Sequence, residues 1–283
     1  MISREQKNKV YIDEIKREQA ISISKKIFKI FIIMLTMFTL FFFYTYFIGV
    51  KGLKTNEIKI VDENIPNSFD GIKILHFSDI LYGRTIKEKE LEKLEKEIIL
   101  LNPDIVIFTG DIIYNEYQID TREISLLNSF FKEIPYTIGK YAVKGELDKT
   151  TFDLIIEDTN FNVLNNELIN IYNHSNESIS LIGININEEA TQNLNSNNYT
   201  ITLIHNYDDF SKYNVQTDLV LAGHNLGGEI RLFNIPLLGE NKYMDSYYLE
   251  NNTKIYISSG LGSIHHMRLF NKPSMNVYRL YNK

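Results

Sequence analysis

Cysteine is missing from all 283 residues. Disulfides and thiolate metal sites are therefore excluded, and any metal must be held by histidine, carboxylate or amide groups. Histidine is scarce, with 6 residues, so each can be weighed singly. Positive charge is not concentrated: the net charge is −6, and no long Lys/Arg block stands beyond residue 50. Such a chain is a poor match for nucleic acid. Charge of either sign disappears altogether from Ile30 to Val50, where Phe, Ile, Leu, Met and Tyr dominate. About 20 such residues cross a bilayer core as a helix. The run is too long for the apolar region of a signal peptide, and no small-residue cleavage site follows it. The whole chain, 44% apolar and 23% charged, suits one globular domain with an appendage.

The flanks of the apolar run differ. Lys7, Lys9, Lys16, Arg17, Lys25, Lys26 and Lys29 precede it; Lys51, Lys54 and Lys59 follow it. The positive-inside rule then predicts a cytoplasmic tail over 1–26, a transmembrane helix over 27–50 and the remainder outside. Tyr44 and Tyr46 fall near the outer interface, where amphipathic aromatics are favoured. Residues 51–71 read as a connector and residues 72–283 as the globular domain. The tail is polar and mixed in charge, which fits a frayed or amphipathic helix.

From residue 72 apolar runs alternate with helical patterns. Ile72–Phe77 ends at Ser78-Asp79. Lys87–Leu101 carries Leu91, Leu94, Ile98 and Leu101 on one helical face, and Asn102-Pro103 stops it. Asp104–Thr109 ends at Gly110-Asp111. This order predicts a right-handed βαβ unit, with both aspartates just past the carboxyl ends of parallel strands, where α/β sheets collect ligands. Tyr141–Lys144 ends at Gly145, and residues 151–158 look helical. Ser178–Gly183, Tyr199–Ile204, Asp218–Ala222, Lys254–Ser259 and Met275–Leu280 complete the strands. The Asn-rich stretch 185–198 reads as a surface loop. Polar side chains thus follow apolar strands repeatedly, as at His205 and His224.

Those strand ends carry five blocks: Ser78-Asp79-Ile80-Leu81, Gly110-Asp111, Gly145-Glu146-Leu147-Asp148, His205-Asn206 and Gly223-His224-Asn225-Leu226-Gly227-Gly228. In order and setting they resemble the calcineurin-like metallophosphoesterase family, in particular its small membrane-anchored bacterial branch. Gly260-Leu261-Gly262 and Arg268 resemble that family's closing block, so the resemblance covers about residues 72–281. It implies an α/β fold, the family's α/β/β/α sandwich. It also implies two metal ions about 3.5–4 Å apart that clamp a phosphate. The family pattern reads D-x-H, G-D, G-N-H-D, a lone His and G-H-x-H. Leu81, Leu147 and Leu226 stand at three of its histidine positions, and leucine neither binds a metal nor moves a proton.

By that pattern the first metal site needs Asp79, Asp111 and two imidazoles, and both imidazoles are replaced, by Leu81 and Leu226. The second site becomes Asp111, Glu146, His205 and His224, a two-His, two-carboxylate set suited to Mn, Zn or Fe, with Asp79 a weaker contributor. The alternative is that these four persist as buried hydrogen-bond partners of a lost site. Leu147 takes the place of the histidine that contacts substrate or protonates the leaving group, so no catalytic residue is assigned. The three leucines are expected to pack together beside Asp79, each burial contributing about 1.5–3 kcal/mol. One divalent ion and no dinuclear centre is the expected cofactor.

His76, inside a strand, reads as a core or edge histidine, His174 as exposed, and His265-His266 as residues near the rim of the site. Arg231, in a block resembling the family's G-G-Q-I-R, reads as structural. Three functions compete. One is a membrane-anchored pseudoenzyme with a binding or regulatory role. The second is a hydrolase that uses one metal on a phosphoester or lipid headgroup. The third is a structural module that presents a surface. The sequence names no protein partner and places the domain on the outer side of the cell membrane.

Overall fold

In the computed structural model the chain divides between Ile48 and Gly49. The described residues are 4–185, 194–239 and 242–283, without the side chains of 5–7 and 10; most of the expected Asn-rich loop therefore lies outside them. The first unit is one helix, α1 (Arg4–Phe43), continued by a π-helical turn at Tyr44–Ile48. The predicted tail and span are thus a single element from Arg4 onward. Thr36 and Thr39 return their hydroxyls to the carbonyls of Ile32 and Leu35, at 2.9 and 2.8 Å. This satisfies the polar groups inside an apolar run. By length and composition Tyr11–Ile48 is a candidate membrane span.

The second unit begins with a strand where the sequence predicts a connector. β1 (Lys54–Asp62) pairs in parallel with the last strand over nine residues. Its alternation is half polar because it is an edge strand with one face open, which disguises it. There follow β2 (Lys73–Phe77), α2 (Glu88–Leu101), β3 (Ile105–Phe108), α3 (Thr121–Glu133), β4 (Gly139–Ala142), α4 (Thr150–Ile156) and β5 (Phe161–Val163). The second half contains β6 (Glu167–Tyr172), β7 (Ser178–Ile184), β8 (Thr200–Ile204), β9 (Leu219–Ala222), β10 (Arg231–Leu232), β11 (Ile235–Pro236), β12 (Tyr247–Glu250), β13 (Thr253–Ile257) and β14 (Ser274–Asn282). α2 ends where expected: Asn102 takes a left-handed conformation (φ 45°) and donates its N–H to Ile98 and Ile99, a helix-ending geometry.

Two six-stranded sheets result, in the orders β1-β14-β2-β3-β4-β5 and β12-β13-β9-β8-β7-β6. β2 to β5 run parallel, as do β7, β8, β9 and β13. In β3, Ile105 and Ile107 face the core shared with Leu181, Ile201, Leu203, Leu219 and Leu221 of the other sheet. Val106 and Phe108 face the core made with α2, α3 and α4. Strands covered on both faces read as unbroken apolar runs, which is why they are legible in the sequence. The outer face of the second sheet has its own core, built on Ile182, Ile204, Val220 and Ile255. Among the described residues it is capped there by the 3-10 helix Tyr207–Lys212. The α/β fold is therefore a two-sheet sandwich whose parallel strands end along one edge.

Candidate metal centre

That edge gathers the predicted residues. Asp79 follows β2, Asp111 follows β3, Glu146 follows β4, His205 follows β8 and His224 follows β9. Two sheets are needed to bring them together, since the carboxylates come from one and the imidazoles from the other. The close approach depends on glycine. A Cβ on Gly145 would overlap Asp111 Oδ1, and one on Gly223 would lie 2.9 Å from Asp79 Oδ2. Larger residues would push the loops apart.

Ligand atoms of Asp111, His205 and His224 converge within 4.8 Å of one another. His205 is fully buried. Its Nδ1–H donates to the Thr109 carbonyl at 2.6 Å, which fixes the tautomer and leaves Nε2 as the free lone pair. Nε2 lies 3.1 Å from Asp111 Oδ2 without hydrogen-bond alignment, and is a buried polar atom with no hydrogen-bond partner. Such orphans are rare in folded proteins and call for an ion or other ligand. Burial alone would push the His205 imidazole down; the Asp111 carboxylate overrides it and lifts the pKa to about 10, so without a cation a proton sits on Nε2 and a metal bound there must displace it. Burial likewise opposes ionisation of Asp111, yet His205, the Leu147 N–H and His224 hold its carboxyl below the usual range. The pair favours positive charge between them. These residues fit one divalent cation.

The rest of the predicted set is arranged around this group without joining it. Glu146 is exposed; its Oε1 lies 3.8 Å from His224 Nδ1 and accepts from Asn206 Nδ2 at 3.2 Å. Asp79 is buried, accepts from Ser78 Oγ and, at 3.2 Å, from the His224 N–H, and burial raises its pKa. The residues do not fit a second metal beside Asp79. Leu81 and Leu226 are 0% and 3% exposed. Leu226 and Asp79 both pack on Gly260, and Leu81 packs on Gly262. Leu147 is half-buried and lines a cavity of about 200 Å³ with Ile112, Tyr114, Tyr117 and Phe152. Two of the three leucines thus meet the Gly260–Gly262 turn, and the third lines that cavity. The Leu147 N–H donates to Asp111 Oδ1 at 2.8 Å, which anchors its backbone to the carboxylate.

Sequence reasoning assigned no role to Asp148. Its carboxylate accepts from the N–H groups of Asp111, Ile112 and Gly145 at 2.8–3.0 Å, so it ties the β3 loop to the β4 loop. Burial, then the neighbouring Asp111, push its pKa up to about 6. Its place at the end of the Gly145–Asp148 block was the available signal. Glu229 was also missed. It is buried and accepts from Ser263 Oγ, from the Ile264 N–H and from His265 Nδ1. His265 is thereby held to the Gly262 side of the site. Arg231 donates to the Gly227, Met244 and Asn234 carbonyls and to Asp245, a structural role as expected. His174 is exposed.

The model of the calcineurin-like phosphoesterase family matches residues 72–260. The chain belongs to this family. Among its relatives, the metallophosphoesterase Cj0846 of Campylobacter jejuni is 30% identical over 80% of this chain and 61% of its own length. The metallophosphoesterase YkuE of Bacillus subtilis is 29% identical over 81% of this chain and 85% of its own. A transmembrane protein with a metallophosphoesterase domain from Danio rerio is 22% identical over 74% and 53%. The phosphoesterase chain therefore spans about three fifths of the Campylobacter protein and half of the zebrafish one. The family implies divalent metal use, and Asp111, His205 and His224 form the group of this chain that could hold such an ion.

Proposed function

We propose that this phosphoesterase is a membrane-anchored, single-metal member of the family. In our reading it binds a phosphoester, and its hydrolytic centre is impaired to the point of a pseudoenzyme with a binding or regulatory role. The observation that carries this is the contrast between the two halves of the site. One keeps a buried, orphaned His205 Nε2 beside Asp111 and His224. The other is filled by Leu81 and Leu226.

Asp111, His205 and His224 would hold the metal, with Glu146 closest at hand as a fourth ligand. A divalent ion there supplies a Lewis acid for a phosphoryl oxygen and lowers the pKa of bound water. The chain's residues do the remainder. Thr109 keeps His205 in the ligating tautomer, and Asp148 and the Leu147 N–H hold Asp111 in place. No imidazole stands at Leu147 to contact substrate or protonate a leaving group.

A second reading, hydrolysis of a phosphoester or lipid headgroup by one metal, is favoured by the intact clamp around Asp111. Metal content and turnover separate the two. Purified full chain loaded with Mn²⁺ is expected to hold about one ion and to hydrolyse bis-p-nitrophenyl phosphate no faster than His205→Ala. Turnover abolished by His205→Ala would favour the hydrolase, and two ions per chain would overturn the single-site reading.

A further inference from the structure

A second cavity, of about 350 Å³, opens elsewhere on the phosphoesterase unit. One wall is the segment Val50 to Leu53 and the opposite wall is α2. Ile86, Leu94, Leu261 and Pro273 give it an apolar floor; all four are buried. Lys51, Lys89 and Lys93 stand at its rim, exposed and without an ion-pair partner among the described residues. Glu90 and Glu97 also line it. Three lysines against two glutamates leave one positive charge. The metal-centre residues do not line this cavity.

The position of the wall identifies what reaches it. Val50 follows Ile48, the last residue of the apolar helix, with one residue between. Two residues reach at most about 7 Å, so the cavity wall stays beside the helix end in any orientation of the two units. With the helix in a bilayer, that end lies at the headgroup level, where basic side chains meet lipid phosphates. An apolar floor with a rim of net charge +1 matches an amphiphile with a single negative charge. A multiply charged anion such as inorganic phosphate or a nucleotide has no use for the floor and meets the two glutamates.

We infer that the cavity formed by Val50–Leu53 and α2 binds a monoanionic glycerophospholipid from the membrane that holds the chain. Its phosphodiester would sit among Lys51, Lys89 and Lys93, and the first carbons of its chains on Leu94, Leu261 and Pro273. This site is distinct from the metal centre and rests only on the anchoring part of the proposed function.

The test uses the full chain in non-ionic detergent, titrated with dioctanoyl phosphatidylglycerol, dioctanoyl phosphatidylcholine or glycerol phosphate, with adducts counted by native mass spectrometry. Saturable binding of one phosphatidylglycerol is expected, at least fivefold tighter than the other two. Lys51→Gln, Lys89→Gln and Lys93→Gln combined should weaken it on the order of tenfold or more, whereas the three Lys→Arg changes should retain it. Val50→Trp, which adds bulk to one wall, should also weaken it. Equal binding of phosphatidylcholine or glycerol phosphate, or no loss in the Gln and Trp variants, would overturn the inference. Flotation with pure phosphatidylcholine vesicles tests anchoring separately, because every variant keeps the helix. Failure to float would sink the anchor, and with it the membrane as source of the lipid, while the micelle titration still reads the cavity itself.

Discussion

Five residues around the centre hold backbone that side-chain-bearing residues rarely adopt: Asp79, Leu81, Asp111, His224 and Leu226, with φ between 47° and 70°. Each costs about 1 kcal/mol or more. For the carboxylates and the histidine this sets a ligand's direction. For Leu81 and Leu226 it does nothing chemical; in the proposed single-metal reading, these loops hold a backbone that histidines at the same positions could use. Restoration should therefore be a matter of side chains and not of refolding. The triple variant Leu81→His, Leu147→His and Leu226→His is expected to raise the manganese content from about one ion to two per chain and to start Mn²⁺-dependent hydrolysis of a phosphodiester. Any one change alone should do neither, because ligands of one site act together. Leu226→His alone should cost about 1–3 kcal/mol by placing an unpaired ring in an apolar spot, measurable as a lowered urea midpoint.

A second residue-scale prediction concerns His76. It is fully buried, with Nε2 on Thr109 Oγ1 at 2.9 Å and Nδ1 without a hydrogen-bond partner. Burial pushes its pKa down to about 3. The folded state thus refuses a proton that the unfolded chain accepts below about pH 6.5. Stability from this group is complete above pH 6.5 and falls by about 1.4 kcal/mol per pH unit down to about pH 3. His76→Gln removes the titration. The stability gap between wild type and variant should shift by about 2 kcal/mol in favour of the variant between pH 7 and pH 5. A pH-independent gap in urea denaturation would show that His76 takes up its proton without cost.

At the level of elements, legibility followed burial. β2, β3, β8 and β9 lie between cores and announce themselves as apolar runs ending in Asp or His. β1 and β6 are sheet edges with one open side; the mixed pattern of β1 passes for a connector, and that of β6 does not announce a strand. α3 carries a capping box between Asp120 and Glu123 and buries Leu127, Phe130 and Phe131; these signals were in the sequence, unused. The carboxyl end of α3 is closed from a distance. Lys140, 1% exposed, reaches from β4 to the carbonyls of Phe131, Lys132 and Ile134 at 2.8–3.4 Å. A cation on the last carbonyls of a helix satisfies orphan acceptors and opposes the helix dipole. Lys140→Met keeps the bulk and removes the donors. It is expected to cost about 1.5–3 kcal/mol, read from the shift of the urea midpoint at constant slope.

For the whole molecule the remaining question is which side of the membrane the phosphoesterase unit faces. Eight basic residues, Arg4 among them, lie within α1 before Ile30, against Lys51, Lys54 and Lys59 after it. Lys54 and Lys59 belong to β1, and Lys59 lies within 6.0 Å of the Tyr281 ring centroid; they are part of a folded sheet. Of the lysines close to the span in sequence, Lys51 alone remains outside a strand on that side, which strengthens the asymmetry read from the sequence. Orientation follows the lysines and arginines closest to the span. The parallel pairing of β1 with β14 also binds the segment just after the helix to the carboxyl end of the chain, so a reporter at that end reports the location of the entire unit. Alkaline phosphatase fused after Lys283 is expected to be active, and a cytoplasm-restricted fluorescent reporter at the same place to be dark. Replacing Lys16, Arg17, Lys25, Lys26 and Lys29 by Gln should reduce the alkaline phosphatase signal by removing the bias that retains the helix start. Full activity of the cytoplasmic reporter in the unaltered chain would place the metal centre inside the cell and refute the orientation.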